Sequence, residues 1–286
     1  MSGTLSGAPT TVFGSSGVLD YASGNALIVL DRGSAQVHDG NVTTFAGGAA
    51  LAASNNQKGE FILGTGHASI SGGLVGSTDI VFGGSGGFTY VGAQESASVI
   101  GGTGSATITG GAGGGYYSGG SAGNNSLAAT GIDTVLVGGG DNDTLVGADA
   151  GYSYLVAGSG NETLIGSIGA SGGSGTDRFY LGSGSDAVGL GTGPSELVTG
   201  IGTATIYGGG GLAYLFGGTG GADLYVERPG SNMSITGFRE GIDHIGGDGA
   251  VPDAVRIAGG STVLTFAGGA TMTVNGLVDP SGAGLL

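Results

Sequence analysis

The sequence predicts an all-β chain wound as a right-handed parallel β-solenoid. Three observations carry that reading. Seventy-two of the 286 residues are glycine, far above the usual ~7 %. The glycines recur with a nine-residue rhythm, sharpest in GGSGTDRFY, Gly172–Tyr180. Between the glycine pairs lie short apolar runs, too short for helices and regularly spaced. Such a period means one turn per pair of repeats, with stacking of turns burying a thin core. Collagen is excluded, because no strict G-X-Y period exists and only five prolines occur. Disorder is a poor fit, because 39 % of residues are hydrophobic and only 9 % are charged.

Residues 1–60 read as an irregular N-terminal cap or assembly segment. ALIVLD (Ala26–Asp31) and AQVHDG (Ala35–Gly40) are short strand candidates with turn residues between them. NVTTFAGGAALAASNN (Asn41–Asn56) is less regular. A cap is expected here because the end turn of a solenoid otherwise exposes core and unpaired strand edges.

Residues 61–226 form the glycine-rich solenoid. Successive half-turns read FILGTGHAS, ISGGLVGSTD, IVFGGSGGFT and so on to TIYGGGGLA and YLFGGTGGA. Each opens with a strand of about three residues that points one apolar side chain inward. Each ends in a glycine-rich turn, expected to use the φ > 0 conformations that glycine adopts cheaply. Two half-turns give a coil of ~18 residues, so this stretch predicts about nine coils.

Residues 227–286 change texture. GSNMSITGFREGIDHI (Gly230–Ile245) has apolar anchors at Met233, Ile235, Phe238, Ile242 and Ile245. VRIAGGSTVLTFAGGATMTVNGLV (Val255–Val278) alternates apolar and polar residues, with Ala258–Gly260 and Ala267–Gly269 as turns. It predicts a three-stranded antiparallel meander that closes the stack.

The repeats GGGDNDTLVG, GSGNETLIG and GGSGTDRFYLGSGSD resemble the haemolysin-type (repeats-in-toxin) calcium-binding β-roll. The C-terminal ITGF and GIDHI, followed by the alternating segment, is similar to the tail of type I secreted members of that family. The nonapeptide match covers about residues 135–226, and the looser rhythm extends it to about residue 61. The resemblance implies calcium bound between adjacent turns and an uncleaved C-terminal export signal. It places the ligand position on Asp143, Asp177 and Asp186, with Glu162 and Glu196 as substitutes. Half-turn counting puts Asp143, Glu162 and Asp186 on one edge and Asp177 and Glu196 on the other. The matching position elsewhere is Ala106, Ala204 or Ala222, and Asp223 falls one residue late. With so few carboxylates and a need for 6–8 oxygens per ion, the expectation is zero to a few calcium ions between about residues 138 and 196. The alternative is that these acids are solvated turn residues.

Other chemistry is poorly supported. G-x-S-x-G occurs at Gly83–Gly87 and Gly119–Gly123, but a nucleophile elbow needs a strand–turn–helix context. His38, His67 and His244 lie on different segments, and the chain has no cysteine, so a zinc site is not expected. Thr runs at Thr107–Gly111 and Thr203–Gly209 are out of step, against a flat ice-binding array. Eight tyrosines, including Tyr116, Tyr117, Tyr152, Tyr154, Tyr180 and Tyr214, recur along the repeats and are read mainly as core caps or ladders. The net charge is −15, with Lys58 the only lysine, which argues against nucleic acid and anionic membranes. No apolar run reaches the ~18 residues of a membrane span, and MSGTLSGAPTT lacks the basic and apolar regions of a Sec signal.

The expected protein is therefore a non-enzymatic, secreted bacterial structural chain. It would leave through type I secretion machinery and self-associate as a homo-oligomer in an extracellular fibre, surface layer or matrix. The competing class is a calcium-binding accessory or secretion module with no assembly role.

Overall fold

The computed structural model describes residues 4–14, 18–38, 40–54, 57–121, 124–140, 142–167, 175–246, 251–279 and 281. It is all-β, a parallel β-solenoid of about 12 turns ending in an antiparallel segment. The backbone forms two compact units, residues 1–143 and 144–286.

The first unit holds β1 (Thr4–Gly14), β2 (Val18–Leu30), β3 (Ser34–Val37), β4 (Gly40–Ala46), β5 (Ala50–Ser54), β6 (Lys58–Leu63) and β7 (Ala68–Ser71). It continues with β8 (Thr78–Phe82), β9 (Phe88–Val91), β10 (Ser96–Ile100), β11 (Ala106–Thr109), β12 (Gly115–Ser118), β13 (Ser126–Ala128) and β14 (Thr134–Val137). Alternate strands pair in parallel. One ladder runs β3–β5–β7–β9–β11–β13, and the other runs β2–β4–β6–β8–β10–β12–β14. Thr78 of β8 pairs with Ser96 of β10, eighteen residues later, which is the coil length the glycine rhythm predicts.

The first sixty residues are more regular than expected. β3 to β6 already belong to the two ladders, and β2 feeds both, pairing β3 through Val18–Tyr21 and β4 through Gly24–Leu30. The sequence hides these coils because their turns carry few glycine pairs. Inward side chains such as Ile28, Val37 and Leu51 are buried all the same.

The second unit holds β15 (Thr144–Val146), β16 (Tyr152–Val156), β17 (Thr163–Ile165), β18 (Thr176–Tyr180), β19 (Ser185–Gly189), β20 (Ser195–Val198) and β21 (Thr203–Tyr207). Then come β22 (Leu212–Phe216), β23 (Asp223–Val226), β24 (Asn232–Thr236), β25 (His244–Gly246), β26 (Ala254–Ala258), β27 (Ser261–Thr265) and β28 (Thr271–Asn275). Its ladders are β15–β17–β19–β21–β23–β25 and β16–β18–β20–β22–β24–β28. The solenoid therefore runs past residue 226, where the rhythm fades, through β24 and β25. The antiparallel meander β26–β27–β28 forms as the alternation predicts, with turns at Gly259–Gly260 and Gly268–Gly269, all at positive φ. β28 also pairs in parallel with β24, in the place a further coil would take.

The core is one residue thick on each sheet. In the second unit Leu145, Leu164, Val188, Ile206, Tyr225 and Ile245 are register partners on one ladder. Leu155, Phe179, Leu197, Leu215, Ile235 and Val274 are register partners on the other. All twelve are at most 1 % exposed. Each such side chain contributes about 1.5–3 kcal/mol on burial.

Some turn glycines, among them Gly76, Gly114, Gly120 and Gly151, adopt positive φ as expected, and others serve a different purpose. Gly182, Gly184 and Gly202 do not adopt positive φ. A Cβ on Gly184 would lie 1.4 Å from the Gly160 carbonyl oxygen, and one on Gly202 would lie 1.9 Å from that of Gly184. Glycine is required because the coils stack backbone on backbone at the turn, closer than any side chain allows.

Candidate functional site

The alternation that buries one apolar residue per strand also turns the residue two places earlier inward. At that position stand Asp79 before Val81, Asn125 before Leu127, Asp143 before Leu145, Glu162 before Leu164, Asp177 before Phe179 and Asp186 before Val188. Asp223 before Tyr225 and Asp243 before Ile245 complete the set. All eight polar residues are at most 4 % exposed. They are not solvated turn residues; they line the inside of the turns.

Three of them, Asp143, Asp186 and Asp243, share one bonding scheme. In the first unit Asp143 Oδ1 accepts the Asn125 N–H at 2.7 Å and its side-chain amide at 3.0 Å, while Oδ2 accepts the Gly139 N–H at 2.6 Å. Asn125 Oδ1 in turn accepts the Ala106 N–H at 2.8 Å. In the second unit Asp186 Oδ1 accepts the Glu162 N–H at 3.1 Å and Oδ2 the Gly182 N–H at 3.2 Å. Asp243 repeats it with the Asp223 N–H at 3.0 Å and the Arg239 N–H at 2.8 Å. One oxygen takes an N–H of the preceding coil. The other takes the N–H four residues back in its own turn. Buried N–H groups that the sheets leave over thus find charged acceptors, and buried carboxylates find donors.

Register corrects one sequence assignment. Ala204 pairs with both Asp186 and Asp223, and the Ala204 N–H donates to Asp223 Oδ1 at 3.0 Å. Asp223 is therefore a full member of the set and not one residue late. Asp79, Glu95 and Asp243 were missed because the nonapeptide template looks for G-G-x-G-x before the acid and their turns lack it, whereas Asp223 follows glycines but sits one residue off the template. The shorter pattern of an acid two places before a buried apolar residue finds all four, Glu95 before Ala97 included.

The two-edge arrangement of the five nominated residues follows the sheets, with Glu162 beside β17 and Asp186 in β19, and Asp177 and Glu196 in β18 and β20. Glu196 does not point inward. Its register partner is Arg178, its side chain is 44 % exposed, and its Oε2 pairs with Arg178 Nε at 3.0 Å. The inward residue beside Asp177 in the next coil is Ser195.

Two members differ in their surroundings. Asp243 is fully buried beside Arg239, whose Nη2 meets Oδ1 at 2.6 Å and whose Nη1 donates to the Gly220 carbonyl at 2.8 Å. Asp177 has no cation. Its Oδ2 accepts the Ser167 N–H at 2.7 Å, while Oδ1 and the buried Ser195 hydroxyl lack hydrogen-bond partners. Burial pushes the Asp177 carboxyl above its usual range, and the Ser167 N–H with the nearby Ser167 and Ser153 hydroxyls offsets this only in part. Asp223 is raised as well, first by burial and then by the charge of Asp243, against the Thr199 hydroxyl.

In the first unit the Tyr90 hydroxyl lies 2.7 Å from Glu95 Oε1 and 3.3 Å from Asp79 Oδ2. Glu95 also accepts the Ala93 N–H at 3.1 and 3.0 Å, and Asp79 accepts the Gly59 N–H at 3.1 Å. Burial, followed by the Asp79 charge, drives the Tyr90 phenol far above its ordinary value. Tyr117, 6.3 Å away between ring centroids, is pushed up to about 12, mainly by burial. Both tyrosines are buried in the core, Tyr117 as expected of the series, whereas Tyr116, Tyr152, Tyr180 and Tyr214 are 40–52 % exposed.

A calcium ion needs several oxygens facing one point. Asp143 and Asp186 already direct both oxygens at N–H donors, and a cation there would have to displace them. No group of three His, Cys, Asp or Glu side chains suited to a metal occurs among the described residues. As placed, the oxygens of Asp143 and Asp186 face N–H groups. Ser85 and Ser121 of the G-x-S-x-G matches lie in loops between strands, and no α-helix occurs among the described residues after either. Comparison with family models, curated proteins and solved structures finds no match for this chain.

Proposed function

We propose that the chain is a non-enzymatic structural protein that associates with further copies of itself through the outer face of its solenoid. One observation carries this reading. In the first unit Phe13, Val29, Phe45, Ile62, Phe82 and Ile100 are successive register partners across β1, β2, β4, β6, β8 and β10. Phe45, Phe82 and Ile100 are 38–40 % exposed, and Phe13 is 77 % exposed. The result is an unbroken outward apolar ridge six strands wide, about 24 Å at ~4.8 Å per strand. Contiguous exposed apolar surface marks an interaction site. A ridge of identical spacing on a second copy is its natural complement. The inward position of the acids supports a non-catalytic role, because none of them reaches solvent.

A net charge of −15 opposes association at low salt, so screening should promote it. The resemblance of the repeats and tail to the repeats-in-toxin family supports secretion by a type I route, with an extracellular fibre, layer or matrix as the product. The test is sedimentation velocity at micromolar protein from low to moderate salt. The parent should associate as salt rises, and Phe45→Ser with Phe82→Ser should remain monomeric while keeping its strand content. Equal association by parent and double variant would overturn the ridge as the contact.

A further inference from the structure

The second unit presents a different outer face on the ladder β16–β18–β20–β22. Val156, Tyr180, Val198 and Phe216 form one outward row, and Tyr154, Arg178, Glu196 and Tyr214 form the neighbouring row. Tyr180, Tyr214 and Phe216 expose 40–52 % of their surface. Tyr180 and Phe216 are two strands apart, about 10 Å, and Tyr214 and Phe216 are two residues apart on one strand, about 7 Å.

Between the rings lies a fixed polar group. Arg178 donates from Nε to Glu196 at 3.0 Å and from Nη1 to the Tyr154 hydroxyl at 2.7 Å. Its guanidinium also lies over the Tyr154 ring, 5.4 Å from the centroid. The arrangement is a row of exposed aromatic rings flanking a neutralised hydrogen-bonding pair.

We infer that this face binds a neutral polysaccharide of β-1,4-linked pyranose rings. The chemistry of the platform selects that class. Aromatic rings pair with the C–H faces of sugars, while hydroxyls and a guanidinium–carboxylate pair serve the sugar hydroxyls. An extended β-1,4 chain advances by about one strand spacing per sugar, so sugars two apart fall over Tyr180 and Phe216. The only cation of the platform is already paired with Glu196, and the chain carries −15. An acidic glycan or a nucleic acid therefore meets no compensating charge. The apolar ridge of the first unit carries the rings of Phe13, Phe45 and Phe82 but lacks such a polar pair, which separates this face from the self-association surface.

The experiment is isothermal titration of the full chain with cellohexaose and, separately, chitohexaose, which distinguishes a glucan from a chitin source. At least one should bind with a Kd of about 0.1–1 mM. Tyr180→Ala and Tyr214→Ala should each weaken it roughly five- to tenfold, and Tyr180→Phe should retain it. Tyr207→Ala is the control, because that ring stands on the other ladder under Arg228, 4.7 Å from its centroid, and it should leave binding unchanged. Thermal melts of all four variants should match the parent, since these side chains point outward. Failure of both hexasaccharides to bind at about 10 mM would overturn the inference. So would an equal loss in Tyr207→Ala. A Tyr180→Ala variant that loses self-association but not sugar binding would assign the face to a second copy instead.

Discussion

Asp186 holds the N–H of Glu162, in the preceding coil, at 3.1 Å, and through its other oxygen the N–H of Gly182 in its own turn. One buried side chain thus ties two stacked coils at the point where their sheets offer no backbone acceptor. The same two-sided grip recurs at Asp143 and Asp243. It explains how turns this rich in glycine hold one geometry.

Removing that grip should cost more than its area suggests. Asp186→Ala leaves the buried Glu162 N–H and the part-buried Gly182 N–H without acceptors, at about 1–3 kcal/mol for the buried one and less for the other. Asp186→Asn keeps one oxygen acceptor and should recover part of the loss. Urea unfolding followed by circular dichroism measures both. An Ala variant as stable as the parent would show that these bonds contribute nothing.

The turn glycines give a paired test. Gly184→Ala drives a methyl group into the Gly160 carbonyl and should destabilise by about 3 kcal/mol through overpacking. Gly189, in β19, meets nothing within 4 Å and has no positive φ. Alanine there should be neutral or stabilise by about 0.5–1 kcal/mol, because the unfolded chain loses freedom. Equal losses in both would mean that glycine acts through flexibility and not through close stacking.

Asp177 supplies a pH test. Its folded carboxyl titrates above the unfolded value of about 3.9, so between the two values the native state holds the extra proton. Stability from this group is full below pH ~4 and falls as pH rises through the folded value. Asp177→Asn removes the charge, retains an acceptor for the Ser167 N–H and adds donors near the unpaired Ser195 hydroxyl. It should raise Tm at pH 7 by a few degrees and flatten the slope of Tm against pH above 4. A variant with a lower Tm at pH 7 and the parent's slope contradicts this assignment.

The solenoid between residues 61 and 226 was legible because glycine at the turns and one apolar residue per strand leave a periodic trace. Coils such as β3–β6 were not, because their turns carry a single glycine pair, Gly47–Gly48. The acids were legible as a class through GGGDND and GGSGTD, but their direction was not. Whether an acid before a strand faces water or core depends on register, and a one-residue offset decides it. Asp177 faces inward and its near neighbour in the next coil, Glu196, faces outward to Arg178. Arg239 gave no sequence signal at all, since its pairing with Asp243 depends on how the turn after β24 closes.

We propose that the coils are held by their own N–H groups bonded to buried carboxylates and need no bound cation. Thermal unfolding of the purified chain in excess EDTA and in millimolar calcium, at matched ionic strength, tests it most directly. The account predicts the same Tm in both. An ion bound only to the folded state at about 100 times its Kd adds about 2.7 kcal/mol, a rise of roughly 5 °C or more for a chain of this size, and such a rise with calcium would contradict it.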